Sequence, residues 1–171
     1  KPGLGTLYNF PKDVYPVGRL DADSEGLLLL TNDTYINKEL LSPKHKHWRT
    51  YHIQVEGTAT EEAMLRLSEG VSISIEGKKY HTHPAKAQLI NPPTLPEREP
   101  PIRFRKTVPD SWIELSLTEG KNRQVRRMTA AVGYPTLRLV RVKIENLELG
   151  KMIPGDVISL DRDEVYKKLK I

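Results

Sequence analysis

Three carboxylates, Asp21, Asp23 and Glu25, stand at alternate positions in Gly18-Arg19-Leu20-Asp21-Ala22-Asp23-Ser24-Glu25-Gly26, directly ahead of an apolar run from Leu27 to Leu30. A carboxylate can act as a nucleophile, a general base, or one half of an acid–nucleophile pair at a sugar carbon, and loops on rigid scaffolds are favoured places for such groups. Taken alone, an acidic turn of this kind reads first as a solvated cap on the strand that follows. A second cluster is Lys121-Asn122-Arg123-Gln124-Val125-Arg126-Arg127-Met128. Helical spacing sets Arg123, Arg126 and Arg127 on one side and Val125, Met128 and Val132 on another. With the apolar side against a core, one guanidinium can pair with a carboxylate while others reach phosphates, which suits their fixed fork of donors. A surface helix bearing three arginines fits the same spacing, so neither cluster decides alone.

The elements that must hold these groups follow from periodicity and punctuation. Ser24 to Thr31 reads as a buried strand ending at the turn-forming pair Asn32-Asp33, and Tyr35 to Leu41 has helical spacing. Arg49-Thr50-Tyr51-His52-Ile53-Gln54-Val55 alternates as a half-buried strand. Thr58 and Glu61 form a candidate capping box for a helix reaching about Glu69. Shorter strands are expected around Val71 to Ile75 and Ala85 to Ile90. Pro92, Pro93, Pro96, Pro100 and Pro101 then remove ladder donors and predict a long exposed loop. Ser111 to Thr118 resumes as a strand, Asn122 to Val132 reads as a helix closed by Gly133, and Thr136 to Val142 as another strand. Val157 to Leu160 is a further expected strand, and Asp161 to Lys170 a short terminal helix. Many strands with a few interspersed helices and no regular βαβ alternation predict a mixed, mainly antiparallel α+β fold.

The chain has 171 residues, enough for one compact domain from 1 to 171, built as one core or two sublobes. Hydrophobic residues make up 37% and charged residues 29%, which permits a buried core under a solvated surface. No apolar run reaches the roughly 20 residues that span a bilayer, so no membrane partner is expected. The absence of cysteine excludes disulfides, thiolate catalysis and Cys-based zinc sites. Net charge is +5, yet residues 98–143 hold eleven Lys or Arg against four Asp or Glu, a local +7 that leaves −2 for the remainder. Such clustered cations can neutralise phosphates and release counterions. The start at Lys1-Pro2-Gly3 lacks an initiator Met, so further residues are expected to precede it.

Three blocks then resemble the RsuA-type pseudouridine synthases of ribosomal RNA: Gly18 to Leu27, Arg49 to Gly57, and Glu119-Gly120-Lys121-Asn122-Arg123-Gln124-Val125-Arg126-Arg127-Met128. The proline loop ending in Ile102-Arg103-Phe104-Arg105-Lys106, with Ser111-Trp112 after it, is similar to the RluE-like branch, which acts on large-subunit RNA. Two departures stand out. Arg49 occupies a position where the family usually has Lys, and Lys1-Pro2-Gly3 runs almost directly into Leu4 to Phe10 where the family has a strand, a Lys-Pro turn and a loop; the S4-like RNA-binding domain common in the family is likewise not expected within these residues.

The resemblance implies a pseudouridine synthase catalytic fold with a central RNA-binding cleft. It implies that Asp21 attacks the target nucleoside so that uracil detaches, rotates and rejoins ribose through carbon, with no cofactor. Tyr51 would lie against the base and remove the C5 proton, and Arg126 would pair with Asp21. Arg19 would fill the space of the flipped base, while Leu27 and Val125 line the pocket. Arg49, Arg103, Arg105, Lys106, Lys121, Arg123 and Arg127 complete the expected RNA contacts, and the protein is expected to act as a cytoplasmic monomer. The pairs His45/His47 and His81/His83 show no convergent third ligand, so no metal is expected. Two competing readings remain: a glycoside hydrolase pairing Asp21 with Asp23 or Glu25, disfavoured by the local +7, and a non-catalytic RNA-binding module.

Overall fold

In the computed structural model, which describes residues 3–103 and 107–171, the chain opens with three short strands: β1 (Tyr15–Pro16), β2 (Glu25–Gly26) and β3 (Leu30–Thr31). The continuous strand expected from Ser24 to Thr31 is therefore split, for a local reason. Gly26 has φ +114, and a Cβ there would sit 2.3 Å from the Arg141 carbonyl oxygen, so only glycine fits. Just beyond, the buried Arg141 guanidinium donates to the Leu27 carbonyl from Nε at 2.9 Å and Nη2 at 2.7 Å, taking that acceptor out of any ladder. The chain then turns, and β3 pairs with β1.

Helix α1 (Thr34–Leu41) begins where the Asp33 carboxylate accepts from the Tyr35 and Ile36 amides at 2.9 and 3.5 Å. After it come β4 (Arg49–Glu56) and α2 (Glu61–Glu69). The cap of α2 is Thr60, whose hydroxyl accepts from the Ala63 amide at 3.2 Å. The expected box on Thr58 and Glu61 does not form, because the Ala59 amide donates to Ser111 Oγ at 2.9 Å and holds the chain extended past Thr58.

Next are the hairpin β5 (Ser72–Ile75) and β6 (Lys78–His81), then β7 (Lys86–Ile90) and β8 (Asp110–Leu117). Helix α3 (Gln124–Ala131), β9 (Thr136–Ile144), β10 (Leu147–Glu148) and α4 (Arg162–Leu169) complete the order. Gly133 closes α3 with φ +93, as expected. The strand expected from Val157 to Leu160 is absent: these side chains are exposed, with no strand partner among the described residues. Asp156 instead closes a turn on Ile153 at 3.0 Å, and Asp161 already caps α4.

The main sheet has the order β10-β9-β4-β8-β7, antiparallel along this path, with β2 added parallel to β9. It is the mixed, mainly antiparallel α+β architecture expected. Alternation along β4 and β8 gives the sheet two faces. Ile53, Val55, Ile113, Leu115 and Leu117 face α2 and α3 and bury against Met64, Leu67, Val125 and Met128. The opposite face carries cross-strand polar pairs, Thr50 with Ser116 at 2.8 Å and His52 with Glu114 at 2.9 Å. A second apolar cluster joins α1 and α4 around Leu27, Ile144 and Leu147. No helix among the described residues is long and apolar enough to cross a membrane.

Candidate active site

A cleft of about 910 Å³ opens between the two apolar clusters and takes lining residues from both. Into it the fold brings Arg19, Asp21, Arg49, Tyr51, Lys121, Arg123, Val125 and Arg126, eight of the residues expected from sequence. Asp21 and Asp23 sit on the loop before β2, Arg49 and Tyr51 at the start of β4, and the arginines at the entry of α3. The carboxylates and guanidiniums, about a hundred residues apart in sequence, thus meet across one opening.

Their pairing differs from the expected one. Arg123 gives a bidentate fork to Asp23, Nη1 to Oδ1 at 3.1 Å and Nη2 to Oδ2 at 2.9 Å, and approaches Asp21 Oδ2 at 3.7 Å. Arg126, expected to pair with Asp21, donates from Nη2 to the Asp23 carbonyl at 2.8 Å and Ser24 Oγ at 3.4 Å, with Asp23 Oδ1 at 3.6 Å. Local backbone explains the difference. Arg123 is in the left-handed region, φ +50, one residue before α3 starts, so it leaves the helical face and swings its fork over the acidic loop.

The electrostatics follow from these bonds. The Arg123 hydrogen bond, with the Arg126 charge behind it, holds the Asp23 carboxyl down at about 2 despite partial burial. Burial pulls the Arg126 guanidinium below its ordinary range while the Asp23 charge resists, and its Nε is buried with no hydrogen-bond partner among the described residues. Asp21 keeps 36% of its side chain exposed and no fork of its own.

On the cleft floor, Arg49 donates to the carbonyls of Leu40 at 2.5 Å and His47 at 3.1 Å. Tyr51 lies opposite Arg141 in the β4–β9 register, next to a bulge, and interacts with its guanidinium. Burial lowers both Arg49 and Arg141, and proximity to Tyr51 opposes that in each.

Several expectations need correction. Leu27 does not line the cleft: its side chain is buried with Val17, Ile36 and Leu40, because the Arg141 bonds to its carbonyl turn it inward. Arg127 also lies off the cleft, its guanidinium bonded to Asn122 and to the Ser74 carbonyl. Arg103 is exposed and outside the cleft, and Arg105 and Lys106 lie outside the described residues. The statement that the histidine pairs lack a third ligand is overtaken for His45 and His47, which Glu39 joins in space.

Sequence reasoning also missed three groups. Arg141 anchors the cleft floor. Arg98 and Arg138 clamp Glu25, Arg138 by two bonds of 2.8 Å and Arg98 at 3.6 Å, drawing the proline loop onto the acidic segment. Glu119 accepts from the Tyr80 hydroxyl, from the His83 amide at 2.8 Å and from Gln124 Nε2 at 2.9 Å. Burial works to raise Glu119, but these bonds outweigh it and keep it low, while burial and that bond push Tyr80 up to about 12. The only sequence signal was the position of Glu119 beside the basic helix.

The fold is that of pseudouridine synthases. A crystal structure described as pseudouridylate synthase superposes with TM-score 0.78 at 29% identity, covering 98% of this chain and 65% of that one. The human RNA pseudouridylate synthase domain containing 1 shares the fold, with TM-score 0.53 at 12% identity over 92% of this chain and 80% of that one. The family model "RNA pseudouridylate synthase" matches residues 4–131, and the chain belongs to that family. It is 52% identical to ribosomal large subunit pseudouridine synthase E of Xanthomonas axonopodis pv. citri, over 90% of this chain and 80% of that protein. Against the same-named protein of Vibrio parahaemolyticus identity is 49%, over 84% of this chain and 59% of that protein.

Proposed function

We propose that this chain isomerises a specific uridine of large-subunit ribosomal RNA to pseudouridine, with Asp21 as nucleophile. The observation that carries the reading is the division of labour in the acidic loop. Asp23 is tied by the Arg123 fork and Glu25 by Arg138, so Asp21 alone of the three faces the cleft without a bidentate partner.

In this reading the Asp21 carboxylate bonds to the flipped nucleoside, splitting one difficult step into two. The N1–C1′ bond breaks, uracil turns, a C5–C1′ bond forms, the bond to Asp21 breaks with its electron pair returning to the carboxylate, the C5 proton leaves and N1 gains one from water. Tyr51, on the cleft floor beside Arg49 and Arg141, takes the C5 proton. Arg123 and Arg126 supply fixed positive charge next to the reacting carboxylate. Arg19 occupies the place of the extruded base, and Arg49, Arg103, Arg105, Lys106 and Lys121 hold phosphates. Residues 1–171 form the catalytic domain, acting as a cytoplasmic monomer without a cofactor.

The glycosidase alternative loses support in both its forms: a carboxyl held at about 2 cannot serve Asp23 as a general acid near neutrality, and Arg138 ties both oxygens of Glu25. A purely RNA-binding module fits poorly with an open carboxylate at the centre of the cationic cleft. Incubating the chain with large-subunit ribosomal RNA transcripts and mapping pseudouridine by chemical modification tests the proposal. One discrete modified position is expected; no modification of large-subunit transcript, or modification confined to small-subunit transcript, overturns it.

A further inference from the structure

Away from the acidic loop, Glu39 of α1 and His45 and His47 of the segment joining α1 to β4 bring their ligand atoms within 4.8 Å of one another. Glu39 Oε2 is 2.5 Å from His45 Nδ1 and 3.9 Å from His47 Nε2. A simple ion pair between Glu39 and His45 accounts for the first distance and leaves the second unexplained. The His47 side chain is only 10% exposed, and its Nε2, aimed at the same carboxylate, has no hydrogen-bond partner among the described residues. Leaving such a nitrogen buried and unsatisfied is unfavourable, which points to an occupant between the two side chains.

The far side of His47 strengthens the case. Its Nδ1 faces Glu145 Oε1 at 3.8 Å, and that carboxylate, itself buried, is fixed by the Trp48 amide at 2.7 Å. The contact with Glu145 is longer than a hydrogen bond, but it sets negative charge behind one imidazole nitrogen and leaves the other directed at Glu39, the side from which an ion would bind. Two imidazoles and one carboxylate suit zinc-class ions and not magnesium or calcium, which prefer oxygen ligands. Bonds of about 2.0–2.2 Å in a tetrahedron place ligand atoms roughly 3.4 Å apart, between the two separations present.

We propose that Glu39, His45 and His47 bind one zinc-class divalent cation, with a fourth position left to water or another ligand. His45 lines the rim of the cleft. Arg49 meanwhile donates to the carbonyls of His47 and Leu40, on the same two segments. The ion therefore braces the connection that delivers Arg49 and Tyr51, independently of the pseudouridine reading.

The test is calorimetric titration of the chelator-stripped chain with zinc chloride, with cobalt(II) absorption as a second probe. One equivalent should bind, with visible cobalt bands of a tetrahedral nitrogen and oxygen site, and the melting temperature should rise with zinc. His45→Ala and Glu39→Gln should each weaken binding by about tenfold or more, whereas a His81→Ala/His83→Ala double variant should bind like the parent. Circular dichroism without metal verifies that each variant is folded, and Glu39→Gln preserves the shape of the site if His45→Ala does not fold. Absence of stoichiometric binding, binding unchanged in Glu39→Gln, or loss in the His81/His83 double variant overturns the proposal.

Discussion

Replacing Asp23 by Asn isolates the ion pair on which the arrangement of the cleft rests. The Arg123 fork holds Asp23 at about 2 against the ordinary 3.8, which corresponds to roughly 2.4 kcal/mol at 1.36 kcal/mol per pH unit. The carboxylate is 42% exposed, and water screening reduces its contribution to about 1 kcal/mol. Because the folded-state value lies below the unfolded one, this stability is present above about pH 4 and is lost as pH falls through about 2. Asp23→Asn should therefore unfold about 1 kcal/mol more easily at pH 7, with the difference shrinking between pH 4 and pH 2. An Asp23→Asn/Arg123→Ala double-mutant cycle in urea should return a coupling of the same size. The variant also releases the fork toward Asp21, now 3.7 Å away, and turnover should fall through pairing of this proposed nucleophile. A stability difference equal at pH 7 and pH 2.5, or no coupling in the cycle, refutes the reasoning.

Gly26→Ala should destabilise the fold by about 3–5 kcal/mol, from backbone strain and loss of the hydrogen bonds that join β2 and Leu27 to Arg141. That lowers the melting temperature by about 10 °C, and a shift within a degree or two contradicts the close approach. Arg126→Ala should cut single-turnover rate by about 10²–10³-fold with circular dichroism unchanged; full activity defeats its electrostatic role. Lys121→Ala should weaken RNA binding in filter assays and reduce the slope of log K against log salt by about 1, and an unaltered slope removes Lys121 from the phosphate contacts.

Types and spacing made the elements around the cleft legible, while its site residues came from the resemblance to a known family. The alternation of Arg49 to Val55 gave β4, and the arginine and apolar stripes gave α3 with Val125 and Met128 buried. What escaped depends on backbone approach at a distance. The apolar run after Gly26 looks like one strand, since nothing local reveals that Arg141, over a hundred residues later, captures the Leu27 carbonyl. Helical spacing also assigned Arg123 to the face of α3, whereas its positive φ puts it ahead of the helix, where it forks Asp23 while Arg126 bonds the Asp23 carbonyl and not Asp21. Strand β6 was hidden because Lys78-Lys79-Tyr80-His81 offers one apolar side chain, yet it delivers the Tyr80 that orders Glu119. Glu39 joins His45 and His47 through the turn after α1, which spacing alone does not reveal.

Covalent chemistry at Asp21 is tested most directly by release of tritium from RNA carrying [5-³H]uridine, since forming the C5–C1′ bond must expel the C5 hydrogen. Measured under single turnover with RNA binding monitored in parallel, the parent chain should release label, and Asp21→Asn should bind the RNA but release none above background. Release by Asp21→Asn at the parental rate would contradict the account.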